Sequence, residues 1–155
     1  MNLPELNFPR YQFSVRKALN RAEIFDTVRK KYVALTPEEW VRQHVVHYLH
    51  HNLGYPLELM RVEGSIVFNS MPKRCDIIVY NNAMKPLLLV ECKKTTVGIQ
   101  QKTFDQANLY NLVLEVPYIL ITNGLQHSCF SLDKSEGKVV YHTRLPDWNT
   151  LRNSQ

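Results

Sequence analysis

The sequence predicts an α/β (α+β) sandwich with a mixed central sheet flanked by helices, on three observations. A strong helix start at Thr36 precedes three strand-like segments. Two unbroken apolar runs, LLLV at 87–90 and YILI at 118–121, are separated by a stretch long enough for a helix. A tail of turn signals alternating with short strand-like segments follows. The order is therefore helix, three strands, helix, strand, with extra C-terminal antiparallel strands. At 155 residues and 45% apolar content the chain suits one domain, 1–155. Its core is expected over about 36–122, with an N-terminal arm over 1–35 and a β extension over 123–155.

In chain order, residues 1–20 carry two prolines and are expected as an ordered arm or short strand material. The segment ALNRAEIFDTVRKKYVAL interleaves apolar and charged residues and is compatible with strand, short helix or both. Thr36-Pro37-Glu38-Glu39 reads as an N-cap, a first-turn proline and a capping-box glutamate, opening the helix WVRQHVVHYLHHN. Val41, Val45, Tyr48 and Leu49 share its apolar stripe; at about 100° per residue Glu38 falls near the middle of that stripe and Glu39 toward its edge. Gly54 ends the helix.

After the GYP turn, LELMRVEGSIVF reads as a strand or a bent pair, KRCDIIVY as a second strand, Asn81 to Pro86 as a turn and PLLLVECK as a third strand. The stretch from Ile99 to Leu114 lacks Gly and Pro and predicts the second helix, with PYILIT a buried strand after it. A helical crossover between LLLVECK and YILIT places those strands parallel. Asn123-Gly124, HSCFSL, DKSEGK and VVYHT then read as turn, strand, turn and strand.

Composition narrows the function. No apolar run approaches the roughly 18 residues that span a bilayer, and the N-terminus lacks the pattern of a secretory signal, so a cytosolic protein is expected. Cys75, Cys92 and Cys129 are odd in number and have no C-x-x-C spacing, which points to reduced, buried residues. A net charge of +5 suits a polyanionic partner without establishing one.

The chemistry concentrates in KRCDIIVYNNAMKPLLLVECKK. Strand alternation puts Glu91 and Lys93 on one face with Leu89, and Val90, Cys92 and Lys94 on the other. If the turn closes a symmetric hairpin pairing Tyr80 with Leu87, Asp76 falls opposite Glu91, with Cβ atoms about 4.5 to 5.5 Å apart. Two carboxylates that close repel unless a cation lies between them. Mg²⁺ suits such a site, with Mn²⁺ as a substitute, and a metal-loaded structure would show whether one cation bridges Asp76, Glu91 and the carbonyl of Cys92. Metal, acids and a nearby lysine are the parts needed for phosphodiester hydrolysis. The plain alternative is a strand-end charge pair balanced by Lys93 and Arg74. Acids and a lysine at the ends of two otherwise apolar strands favour use over chance.

TPEEWVRQ, KRCDIIVY, PLLLVECKK, FDQANLYN and VPYILITNG, in this order over residues 30–125, resemble the N-terminal nuclease domain of type I restriction enzyme motor subunits, within the PD-(D/E)xK superfamily. The resemblance implies a restriction-endonuclease-like core and a Mg²⁺-dependent deoxyribonuclease. It implies Asp76 and Glu91 as metal ligands and Lys93 as the catalytic lysine. The family's first-helix glutamate would be Glu38 or Glu39; helix phase favours Glu38, and Glu39 has a rival role in capping. Gln106 and Tyr110 match a Q-x-x-x-Y pattern, four apart on one helical face, and would contact DNA or brace the site. The motif proline is replaced by Cys75. The 155 residues contain no G-x-x-x-x-G-K-[ST] P-loop, so a domain without translocation of its own is expected. DNA, and other restriction or repair subunits, are the implied partners.

Other features have plainer readings beside the functional one. His44, His47 and His51 could bring two imidazoles to a metal, but no H-E-x-x-H or nearby acid accompanies them, so they are read as surface or partly buried. Arg29, Lys30, Lys31, Lys73, Arg74, Lys94 and Lys102 could track phosphates or form a solvated face. Glu63 could join the site or be exposed, and core packing is favoured over base stacking for Trp40 and Tyr48. The rival function is a DNA-binding or assembly module with a nuclease fold and no catalysis.

Overall fold

The computed structural model describes residues 2–99 and 112–154. Helix α1 spans Pro37–His47 and starts as predicted: the Thr36 hydroxyl accepts the Glu39 N–H at 3.0 Å, and Pro37 occupies a position where no N–H is needed. The reciprocal half of the capping box is not made. The Thr36 N–H donates to the Ala34 carbonyl, and the Glu39 carboxylate goes to arginines. The helix widens into a π turn over Tyr48–Asn52 before Gly54, at φ +75°, ends it.

The ambiguous segment before the helix is strand. β1 (Val15–Ala18), β2 (Arg21–Asp26) and β3 (Lys31–Ala34) form an antiparallel meander. The arm ahead of it lies on α1: Phe13 meets the rings of His44 and His47 at 4.7 and 4.6 Å, and Phe8 and Tyr11 pack beside them. With the arm on one side and the main sheet on the other, Val41 through His47 are all buried. A one-sided amphipathic stripe does not describe this helix.

The main sheet joins β4 (Met60–Val62), β7 (Ile77–Tyr80), β8 (Pro86–Cys92), β9 (Tyr118–Thr122), β10 (His127–Asp133) and β11 (Lys138–His142) in the spatial order β11-β10-β9-β8-β7-β4. The single strand predicted over KRCDIIVY is divided. β5 (Ser65–Phe68) and β6 (Met71–Arg74) form a hairpin inserted between β4 and β7. Asn69 and Ser70, both at positive φ, make its two-residue turn. Hydrogen bonds from Glu63 N–H to the Asp76 carbonyl and from Cys75 N–H to the Gly64 carbonyl close its neck.

β8 and β9 are parallel, as the predicted crossover requires, and β9, β10 and β11 run antiparallel. Residues 112–115 are helical, and the rest of the helix predicted from Ile99 lies outside the described residues apart from Ile99 itself. A short helix, α2 (Trp148–Asn153), follows the last strand and was not anticipated; Asp147 caps it, and Trp148 and Leu151 enter the core.

Strand alternation divides the core between two faces. Val41 and Val45 of α1 and Leu49 of the π turn pack with Ile77, Val79, Leu88, Val90 and Cys92 on one face of the sheet. Ile66, Cys75, Ile78, Leu89, Ile119 and Phe130 fill the other. Each such side chain contributes about 1.5–3 kcal/mol when fully buried, so both central strands are held without polar help until their ends. Among the described residues no helix is long and apolar enough to cross a membrane.

Candidate functional site

The predicted register holds for the three pairs next to the acids. Ile77 pairs with Val90, Ile78 with Leu89 and Val79 with Leu88, so Asp76 and Glu91 stand one step beyond the Ile77–Val90 pair. At the turn the register shifts: Tyr80 pairs with Pro86, not with Leu87. A bulge absorbs the extra residue there, and the site end is unaffected.

Asp76 sits at the bend that enters β7. Its Oδ2 accepts the Cys92 N–H at 2.8 Å, which fixes the carboxylate against the end of β8. Its Oδ1 accepts from Arg42 Nη2 at 2.7 Å. Glu91 is enclosed differently. Its Oε1 is buried without a hydrogen-bond partner, and Lys73 Nζ stands 3.7 Å away, an ion contact longer than a hydrogen bond. Burial pushes the Glu91 carboxyl above its ordinary range; the Lys73 ammonium pulls it back, Asp76 pushes it up again and Lys93 opposes that. Lys93 continues the β8–β9 pairing, its N–H donating to the Thr122 carbonyl at 2.8 Å, and its side chain is exposed beside Glu91. Cys92 is buried, and its thiol is pushed well up by burial first, then by Asp76 and, against Arg42, by Glu91 and Glu38.

The two glutamates at the start of α1 reverse the predicted phase. Glu38 is exposed, 3.8 Å from Arg42, and Glu39 is buried, at 5% exposure. Glu39 is held between the guanidinium groups of Arg29 and Arg42 and accepts from Gln43 Nε2 at 3.0 Å. A carboxylate can lie inward here because two fixed cations meet it, a pairing that helix phase cannot show. Gln106 and Tyr110, with the FDQANLYN segment and Lys102, lie outside the described residues.

An ion-pair chain that sequence reading missed runs into the site. Asp26, fully buried, accepts the Val28 and Arg29 N–H groups at 2.8 and 2.9 Å and Arg29 Nε at 2.6 Å. Arg29 continues to Glu39 and, at 3.0 Å, to Glu63; Glu39 continues to Arg42, and Arg42 to Asp76. Arg29 is therefore engaged inside the protein and is not offered to phosphate. Arg74 is paired with Glu63 at 3.0 Å. Five carboxylates (Asp26, Glu38, Glu39, Glu63 and Asp76) thus meet three guanidinium groups (Arg29, Arg42 and Arg74), leaving the centre short of positive charge.

The donor set suits a hard cation. Carboxylates of Asp76 and Glu91 and the Cys92 carbonyl are oxygen ligands of the kind Mg²⁺ takes, and the unpartnered Oε1 of Glu91 is a buried acceptor in need of a donor or cation. Among the described residues no three His, Cys, Asp or Glu side chains converge as a metal cluster. His44 and His47 lie among aromatic rings, and Trp40 donates its Nε1–H to the Pro4 carbonyl while packing against the core.

A mixed sheet with this order, carrying acids and a lysine where its central strands end, defines a restriction-enzyme-related module. The chain belongs to the family described as type I restriction enzyme R protein N terminus (HSDR_N), whose model matches residues 37–146. Among solved structures it is similar to a fragment described as the HsdR subunit of a type I restriction enzyme from Vibrio vulnificus YJ016, at 17% identity and a TM-score of 0.52, over 77% of this chain and 25% of that one. It is also similar to the type IIG restriction endonuclease BpuSI, at 19% identity and a TM-score of 0.41, over 76% of this chain and 15% of that one. The chain thus spans a quarter or less of these relatives. No curated protein matches it.

Proposed function

We propose that this chain is a cytoplasmic, Mg²⁺-dependent deoxyribonuclease module that hydrolyses DNA phosphodiester bonds, working alongside other restriction or repair subunits. The observation that carries this reading is the pair of carboxylates one step beyond the Ile77–Val90 pair, at the ends of β7 and β8, one of them with a buried oxygen that accepts no hydrogen bond. Asp76, Glu91 and the Cys92 carbonyl would hold the cation. Such a cation acidifies water and neutralises charge that builds on phosphate.

The chain's own groups divide the remaining work. The Cys92 N–H sets the Asp76 carboxylate at a fixed angle. Lys93, adjacent to Glu91 on the same strand face, orients the attacking water or donates to a phosphate oxygen in the transition state. Lys73, on the β5–β6 hairpin, stands on the same side and adds positive charge where a phosphate would lie. Glu38, exposed and close to Arg42, is the first-helix acid within reach of this opening, whereas Glu39 is consumed by arginines.

The test is cleavage of plasmid and single-stranded DNA with Mg²⁺ or Mn²⁺. Lys93→Ala and Asp76→Ala are expected to lower the rate by about 10²–10³-fold, the loss typical of removing one aligned electrostatic group. Equal rates in all three proteins would refute the mechanism. The Arg42–Asp76 ion pair is the one observation that favours a silent DNA-binding module instead. Such a module would bind DNA in EDTA with a steep salt dependence and cut no substrate.

A further inference from the structure

Arg42 meets Asp76 on the oxygen that a cation needs, and it has other carboxylates at hand. Asp76 Oδ2 is committed to the Cys92 N–H, so Oδ1, held by Arg42 Nη2 at 2.7 Å, is the oxygen turned away from that anchor. Arg42 is nearly buried, bonded through Nη1 to Glu39, with Glu63 Oε1 at 3.6 Å and Glu38 Oε1 at 3.8 Å. Those two distances are ion contacts not yet closed to hydrogen bonds. Its Nε is buried without a partner, so the present arrangement leaves donor capacity unused.

We propose that Arg42 is a positioning residue that competes with the divalent cation for Asp76, its guanidinium moving from Asp76 onto Glu63 and Glu38 when the cation binds. This rests on the metal-dependent reading above. The exchange keeps every charge paired. Before it, Asp76 is neutralised by Arg42 while Glu38 is held only at ion-contact distance; after it, the cation serves Asp76 and Glu91, and Arg42 serves the glutamates. The anchor on Glu39 persists throughout, so the guanidinium has only to tilt. A guanidinium suits this because its planar fork presents donors to several carboxylates at once. The arrangement also keeps Asp76 from standing as a second uncompensated carboxylate beside Glu91.

The consequence is a sign that a merely structural arginine would not produce. Removing a competitor tightens cation binding, whereas removing a support loosens it. Glu63, which also accepts from Arg29 and Arg74 at 3.0 Å, acts oppositely, since it receives the displaced guanidinium as a further donor; that part of its effect should vanish when Arg42 is gone. This is a thermodynamic cycle on the pair.

The experiment is calorimetry of Mn²⁺ binding to the full chain, without DNA, for wild type, Arg42→Met, Glu63→Gln, the double variant and Asp76→Asn, with circular dichroism to confirm folding. Expected are about tenfold tighter binding in Arg42→Met, several-fold weaker binding in Glu63→Gln, and a clearly smaller effect of Glu63→Gln in the Arg42→Met background. Unchanged or weaker binding in folded Arg42→Met overturns the proposal. Should that variant not fold, Arg42→Lys and Glu63→Gln decide: Glu63→Gln binding Mn²⁺ as wild type does, or Arg42→Lys binding it no more tightly, overturns it. Mn²⁺ binding that Asp76→Asn leaves intact, or none in wild type and Arg42→Met alike, overturns the metal-dependent reading itself. Asp76-dependent binding with the wrong sign in Arg42→Met overturns the competition alone.

Discussion

At Glu91, one carboxylate oxygen is buried without a partner, and the carboxyl titrates above its ordinary range, chiefly through burial. A carboxyl whose folded value is raised contributes stability below its unfolded value, near pH 4.5, and loses it as pH rises through the folded value. At neutral pH the ionised group therefore works against the fold, Lys73 offsetting only part of the cost, unless a divalent cation also meets it. Glu91→Gln is expected to raise the thermal midpoint by roughly 2–4 °C without divalent cation, and to remove the further rise that Mg²⁺ gives the wild type. A melt series at neutral pH with and without Mg²⁺ checks both; a lower midpoint for Glu91→Gln in the absence of Mg²⁺ refutes this account. The placement of Asp76, Glu91 and Lys93 at the ends of two paired strands was legible in the sequence because strand alternation and hairpin register are local rules. Arg42 and Arg29 were not, since a buried arginine differs from a surface one only by partners far along the chain. Glu39 was misplaced for the same reason: its inward position depends on both of them.

The same limit applies to α1 as an element. Its cap, proline and terminal glycine are local and were legible, but its burial on two faces depends on an arm whose packing sequence periodicity cannot reveal. That arm gives the helix a pH response. Burial, then the neighbouring His51, His44 and His50, push His47 down to about 4, and burial lowers His44 as well. A histidine whose folded value is depressed binds protons more readily when unfolded, so its stability is fully present above about pH 6.5 and is lost as pH falls from there toward 4. Urea midpoints are expected to fall across that window. His47→Phe, which keeps the ring against Phe13 and Tyr11, should flatten the decline. An equal slope in the variant would place the acid sensitivity elsewhere. The carboxylates do not imitate this effect: Asp26 is held below its ordinary value, net of burial, by Arg29, and its contribution is lost only at more acid pH.

For the whole molecule, the family match and the folded unit have different edges. The match covers 37–146, yet the charge that makes Glu39 tolerable inside comes partly from Arg29, in the turn between β2 and β3, where Asp26 fixes it. Beyond the other edge, Trp148 and Leu151 of α2 close the α1 face of the core, and at the edge itself Tyr55 donates its hydroxyl hydrogen to the Pro146 carbonyl at 2.8 Å. The central strands and their order were legible because their signal is dense and apolar. The meander and α2 were weak in the sequence, being short elements whose stability comes from what they touch. A chain trimmed to 37–146 keeps the acids, the lysine and the apolar strands but loses Thr36, the N-cap of α1, and leaves Glu39 with one guanidinium in place of two. Breaking a buried ion pair in this way costs about 3–5 kcal/mol, and loss of the α2 apolar side chains adds to it. Against a total of about 5–15 kcal/mol for a domain, the trimmed chain is expected to unfold at much lower urea, or not to fold, and restoring residues 20–36 alone should recover only part of the difference. Matching urea midpoints for the trimmed and full chains would show instead that the core stands unaided and that the ion-pair chain from Asp26 to Asp76 serves the site alone.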